Sequence, residues 1–289
     1  APEVDSARIF TIPASSPEFP LQLKDLDVVP DPIFMIGSLA TLEGPLVSIV
    51  GTRDPTAYGL RTARSIASAL VENGVGIVSG MARGIDAAVH RTALESGGRT
   101  VAVLGTGVDV PYPAAHSELH RVIAERGLVI SESGSGARAH KGSFPRRNRI
   151  IAALGLLTIV IEAGLKSGAL STARHALELG RTLAALPGPI DSPQSMGANL
   201  LLRDGAAAIS SIADALSLAG ITSVVQPQPL SLSDTDARVW SAIGAETLPL
   251  DTIAARAKLA PRECMAAVTT LELNGIVESL ITGEIRRRI

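Results

Sequence analysis

From Leu46 onward, short apolar runs alternate with amphipathic stretches. The runs are LVSIV (46–50), VGIVS (75–79), TVAVLG (100–105), LVIS (128–131), LLTIVIE (156–162) and TLAALP (182–187). They are near-continuously apolar rather than alternating, which suits strands buried on both faces. The amphipathic stretches between them predict helices over 59–72, 85–95, 114–126, 147–153 and 170–179. Strand–helix alternation with short connections predicts an α/β fold: a mostly parallel sheet, doubly wound, with helices on both faces. The Gly-containing turns fall at the carboxyl ends of the strands, where such sheets bind ligands.

The ends of the chain have a different pattern. Residues 1–45 are punctuated by Pro13, Pro17, Pro20, Pro30, Pro32 and Pro45 and read as an irregular lead-in segment packed on the core. Residues 46–220 form the main domain. Residues 221–232, with QPQP, no charge and no periodicity, read as a linker. Over 233–289 a helix runs to Ile243, LPL is a short strand, and DTIAARAKL is a second helix. A third helix has Pro261 near its start and Gly275 past its end. A terminal hairpin turns at Thr282-Gly283, and three helices with a hairpin predict a small C-terminal winged-helix domain.

Composition narrows the function. The 289 residues are 46% hydrophobic, enough for a sizeable core. The single cysteine, Cys264, excludes an intramolecular disulfide and a cysteine zinc cluster, and suits a reducing compartment. The longest near-apolar run, 150–161, falls short of the roughly 20 residues that span a bilayer. No secretory signal pattern follows Ala1, so the expectation is a cytoplasmic protein without a membrane partner. The net charge of −2 gives no global basic field, so any polyanion site must be a local patch.

Such a patch exists. Ser133–Ile161 contains no Asp or Glu but carries Arg138, His140, Lys141, Arg146, Arg147 and Arg149, with Phe144 among them. Cations that neutralise phosphates beside a ring that stacks on an unpaired base are what a single strand of nucleic acid needs. The alternative is a solvated helix N-terminus with Phe144 in the core. Arginines at a helix N-terminus weaken that alternative, because cations are unfavourable at the positive end of the dipole unless an anion is bound there.

Four loops add to the same sheet edge. VGTRDPTAYG (50–59) resembles a phosphate-binding turn that projects Arg53, or else is a plain turn with a surface arginine. It is neither GxGxxG nor a Walker A loop, so no nucleotide cofactor is expected. SGMARGIDAAVH (79–90) and GTGVDVPYP (105–113) are Gly-rich, with Asp86 and Asp109 as turn or cap residues; Tyr58, in the first loop, and Tyr112 read as structural. In EAGLKSGALST (162–172), Ser167, Gly168 and backbone N–H groups ahead of a helix can hold a phosphate. His116 and His120 stand four apart on a helix, either as a metal pair or, the preferred reading, on a surface face, so no metal is expected. Trp240 reads as core.

Taken in order, VGTRDPTAYG, SGMARGIDAAVH, TVAVLGTGVDVPYP, FPRRNRIIA, IVIEAGLKSGALSTA, GRTLAALPGPI and SMGANLLLRDGA resemble the DNA-processing protein A (DprA/Smf) family over about residues 46–210. FPLQLKDLDVVPDPIF (19–34) looks like the segment that joins that family's N-terminal helical module to its Rossmann-like domain. The resemblance implies a bacterial, non-enzymatic protein that binds single-stranded DNA. It also implies protection of incoming DNA in natural transformation, loading of the RecA recombinase, and a homodimer formed through the Rossmann-like domain. By motif position it implies DNA contacts at Arg53, Lys141, Phe144, Ser167 and Gly168. Arg146, Asn148 and Arg149 would shape the pocket or contact phosphate. One departure is SESGSGARAHKG (131–142), which replaces the family's aromatic-Pro-Pro-Gly stretch and predicts a more flexible loop.

Two other classes are open. A phosphoribohydrolase of the lysine-decarboxylase-like superfamily would use Glu162 near the KSG turn, but the PGG triplet is absent. A winged-helix regulator would bind duplex DNA. Its third helix offers Arg262 beside Glu263 and Glu272, an acidic surface offset by Arg286, Arg287 and Arg288 in the wing.

Overall fold

The computed structural model describes residues 8–140, 142–221, 232–244, 246–273, 276–280 and 283–287. The chain divides into two compact units, 1–223 and 224–289. The strands of the first are β1 (Phe10–Ile12), β2 (Ile33–Gly37), β3 (Leu46–Val50), β4 (Gly76–Ser79), β5 (Thr100–Leu104), β6 (Leu128–Ser131), β7 (Leu157–Val160), β8 (Thr182–Ala185) and β9 (Ala207–Ala208). They form a nine-stranded sheet in the order β1-β2-β6-β5-β4-β3-β7-β8-β9. From β6 to β9 every neighbouring pair is parallel. β2 runs antiparallel to β6, and β1 antiparallel to β2.

Strands β3, β4, β5, β6 and β7 are buried at every position, as their unbroken apolar runs require. Their hydroxyls bond to backbone carbonyls: Ser48 donates to Ile151 at 2.7 Å and Ser79 to Ile49 at 2.7 Å. Helices α1 (Ala57–Glu72), α2 (Ile85–Glu95), α3 (Ser117–Arg126) and α7 (Ile212–Leu218) cover one face. Helices α4 (Ser143–Leu154), α5 (Ala169–Glu178) and α6 (Met196–Arg203) cover the other. In α1, Ala63, Ile66, Ala67 and Leu70 recur at helical spacing and are fully buried. Each of the larger ones contributes about 1.5–3 kcal/mol by leaving water.

This order fixes where a ligand fits. From β3 the chain winds outward through β4, β5 and β6, then crosses back to β7 on the opposite side of β3. Adjacent strands whose connections leave in opposite directions open a crevice at their carboxyl ends. Here the crevice lies beyond Val50 and Val160.

Two expectations change. The lead-in segment is not irregular: PIFMIG supplies β2, which extends the sheet, and β1 pairs with it. Pro30 and Pro32 only precede β2, where they remove no ladder hydrogen bond. Helix α4 begins at Ser143 rather than Arg147. Pro145 is no barrier, because it sits in the first turn, where a backbone N–H has no partner within the helix.

The second unit contains α8 (Asp234–Ile243), β10 (Leu248–Pro249), α9 (Leu250–Ala257), α10 (Pro261–Leu273), β11 (Val277–Ser279) and β12 (Glu284–Arg287). Its antiparallel sheet has the order β10-β12-β11. Val239, Ile253, Cys264, Val268, Leu271 and Ile285 form its core. Trp240 is half-buried rather than in the core, with the Arg287 guanidinium 3.9 Å from its ring centroid. Most of the expected linker, 222–231, lies outside the described residues, as do Gly275, Thr282 and Arg288.

Candidate nucleic-acid interface

The crevice between β3 and β7 holds a cavity of about 580 Å³. The turn after β3 brings Arg53, the turn after β7 brings Lys166, Ser167 and Gly168, and α4 brings Phe144 and Asn148. The α4 contribution follows from helical spacing. Phe144, Arg147, Asn148 and Ile151 stand at i, i+3, i+4 and i+7 and share the face toward the crevice. Phe144 is half-buried, not sealed in the core, and the Arg53 Cζ lies 5.9 Å from its ring centroid. Asn148 is buried and donates to the Gly168 carbonyl at 3.2 Å, which ties α4 to the Lys166–Gly168 turn.

Two buried residues of opposite charge, Arg147 and Asp86, line the cavity floor. Arg147 is 5% exposed and Asp86 6% exposed. Arg147 Nη1 donates to the Gly80 carbonyl at 2.7 Å and to the Val103 carbonyl, so it links the carboxyl ends of β4 and β5. A side chain at position 80 would meet this guanidinium at 2.7 Å, which only glycine avoids. Burial pushes Arg147 down to about 10, opposed by Asp86 and assisted by the nearby positive charge of Arg53. Burial raises the Asp86 carboxyl, opposed by Arg147 and by backbone N–H groups. Arg53, Arg147 and Lys166 outnumber the Asp86 carboxyl among the charged residues that line the cavity, which is therefore net positive. Among the described residues, none of the ion pairs involves Arg53, Arg83 or Lys166. These exposed cations are available to an anion.

The cationic segment therefore splits by helix face. Arg146 and Arg149 are on the side of α4 away from the cavity. Arg146 Nη2 lies 3.0 Å from Glu132 Oε2, and Arg149 bonds the same oxygen and donates to the Val28 carbonyl at 2.6 Å. Lys141 lies outside the described residues. Arg147, unassigned from the sequence, takes the inward position that its spacing from Phe144 could have signalled.

Other polar residues are consumed by structure. Glu162 accepts from Thr56 N at 2.9 Å and from Thr56 Oγ1 at 2.5 Å, at the positive end of α1. Both carboxylate oxygens are engaged. Asp109 accepts from Ser135 Oγ at 2.7 Å and Gly136 N at 2.9 Å, and so pins the loop that departs from the family pattern. Partial burial raises the Asp109 carboxyl, but these hydrogen bonds hold it below its ordinary value. His116 and His120 are neither a metal pair nor a bare surface face: they bond the Met81 carbonyl at 3.0 Å and the Val108 carbonyl at 2.6 Å. Among the described residues no cluster of His, Cys, Asp and Glu could hold a metal ion. In the wing, Arg286 pairs with Glu278 at 2.6 Å and Arg287 donates to the Trp240 carbonyl at 2.6 Å, so neither stands free for a phosphate.

Fold and site define a Rossmann-like α/β protein with a cationic switch-point cavity and a winged-helix unit in the same chain. Residues 10–220 match the family model of DNA recombination-mediator protein A, residues 225–281 match that of the DprA winged helix domain, and the chain belongs to this family. It is 41% identical over 239 residues to a DNA processing protein DprA of Mycobacterium tuberculosis, covering 80% of this chain and 61% of that relative's length. Among solved structures, DNA processing protein A of Streptococcus pneumoniae aligns with TM-score 0.69 and 39% identity over 74% of each chain. That of Helicobacter pylori, described for its unique single-stranded DNA binding mode, aligns with TM-score 0.65 and 32% identity. The latter alignment covers 73% of this chain and 95% of that one.

Proposed function

We propose that this chain binds single-stranded DNA across the switch-point crevice and acts as a recombination mediator. The supporting observation is the cavity itself: Arg53 and Lys166 for phosphates, Phe144 for a base, and the Ser167–Gly168 turn for a further phosphate oxygen. The Helicobacter pylori relative is described as binding single-stranded DNA, which agrees with this use. Lys141, ahead of α4, is proposed as an added phosphate contact. Arg146 and Arg149 act indirectly, by holding α4 through Glu132.

Family membership supports the wider role: protection of incoming strands in natural transformation, loading of the RecA recombinase, and a homodimer formed through the Rossmann-like domain. The protein works by binding rather than by catalysis, since Glu162, the acid an enzyme of this outline would use, is already bonded twice to Thr56. Among the described residues no helix is long and apolar enough to cross a membrane.

A gel-shift series with single-stranded, duplex and tailed oligonucleotides tests the reading. The single strand and the tailed duplex should shift at concentrations where blunt duplex does not. Equal shifts for all three would move the activity to duplex binding.

A further inference from the structure

Beside the main cavity lies a second recess of about 330 Å³. The two share Arg53, Ala82, Phe144 and Arg147, so Phe144 and Arg53 form the partition between them. The far side of the second recess carries Arg83 and Tyr112. The Tyr112 ring lies 4.9 Å from that of Phe144, centroid to centroid, tilted by 37°. Phe144 is held by the chain behind it: a methyl group at Gly105 would approach Phe144 Cδ1 to 3.1 Å.

Tyr112 is poorly explained as a structural residue. It is 44% exposed, and among the described residues its hydroxyl has no hydrogen-bond partner. An exposed ring beside a second ring, in a recess with an unpaired guanidinium, is a stacking surface next to a phosphate site.

We infer that the second recess takes the neighbouring unpaired base of the same strand, with Tyr112 as its stacking surface and Arg83 as the cation for its phosphate. This assignment rests on the reading of the first cavity as a single-strand site. A base held in Watson–Crick pairing cannot enter either recess, so two adjacent recesses select for unpaired nucleotides.

The test uses the full chain and a fluorescein-labelled oligothymidylate, with affinity measured by anisotropy at several salt concentrations. Circular dichroism checks that each variant is folded. Loss of one stacked base should weaken Tyr112→Ala about tenfold with its salt dependence unchanged. Tyr112→Phe, which keeps the ring, should bind like the unsubstituted chain. Arg83→Ala should reduce the log–log salt slope by about 0.7, one phosphate contact. With 5-iodouracil in the strand, irradiation should cross-link Tyr112 and Phe144. If Arg53→Ala weakens binding while Tyr112→Ala and Arg83→Ala bind like the unsubstituted chain, the second recess is unused and the inference is overturned. If Arg53→Ala also binds normally, the single-strand reading of the first cavity fails, and the second-base assignment falls with it.

Discussion

Replacing Arg147 with Met probes the buried guanidinium at the cavity floor. The variant leaves Asp86, 6% exposed, without its buried cation, and takes a donor from the carbonyls of Gly80 and Val103. A hydrogen bond from a charged donor contributes about 1.5–3 kcal/mol, so the two lost with the guanidinium cost about 3–5 kcal/mol. That is a large part of the roughly 5–15 kcal/mol by which a folded protein exceeds its unfolded state. At about 2–4 °C per kcal/mol for a unit of this size, the melting temperature should fall by roughly 6–20 °C. Asp86→Asn in the same chain removes the stranded carboxylate, so the double variant should regain about 1–3 kcal/mol relative to additivity. Thermal and urea unfolding should be followed by far-UV circular dichroism. The lone tryptophan, Trp240, belongs to the winged-helix unit and its fluorescence reports there. A loss under about 1 kcal/mol in Arg147→Met would refute the structural role of the guanidinium, and strict additivity in the cycle would refute its electrostatic coupling to Asp86.

Three other outcomes follow from the same geometry. Burial holds His90 at about 3, against an ordinary 6.5, so between these values the unfolded chain binds a proton that the folded chain does not. Its contribution is complete above pH 6.5 and is lost on acidification, about 2 kcal/mol between pH 7 and pH 5. Denaturant midpoints for His90→Gln should show a correspondingly shallower pH dependence. Arg149→Ala should lower unfolding free energy by roughly 1.5–3 kcal/mol, as a charged hydrogen bond to Glu132 is lost, with no change in the salt slope of strand binding. Incubation with AMP should release no adenine. Release that Glu162→Gln abolishes would favour the nucleotide-cleaving alternative.

What the sequence reveals here depends on whether a signal is local. Helix α2 spans Ile85–Glu95 and β6 spans Leu128–Ser131, the bounds their apolar patterns predict, because a continuous run or a helical stripe needs no partner to be read. Strands β1, β2 and β9 were not read as strands. They lie towards the sheet's margins, β1 and β9 have only three and two residues, and β2 stands directly after Pro30 and Pro32, so pairing rather than pattern makes them strands. The cationic segment shows the limit at the site. Counting charges joins Arg146, Arg147 and Arg149, whereas helix geometry separates them. Arg147 turns inward with Phe144, and the other two turn to Glu132, one residue outside the acid-free stretch. That division was available from spacing once the helix start was set at Ser143. The meeting of Tyr112 with Phe144 was not, since it depends on how β5 and α4 are placed by the sheet.

The salt dependence of single-strand affinity, compared between the unsubstituted chain and Arg53→Ala, tests the central claim most directly. Arg53, Lys166 and Arg83 as three phosphate contacts give a log–log slope of about −2 or steeper, and Arg53→Ala should bind more weakly with a slope shallower by about 0.7. A slope near zero, or an Arg53→Ala chain that binds as tightly and as steeply as the original, would contradict it.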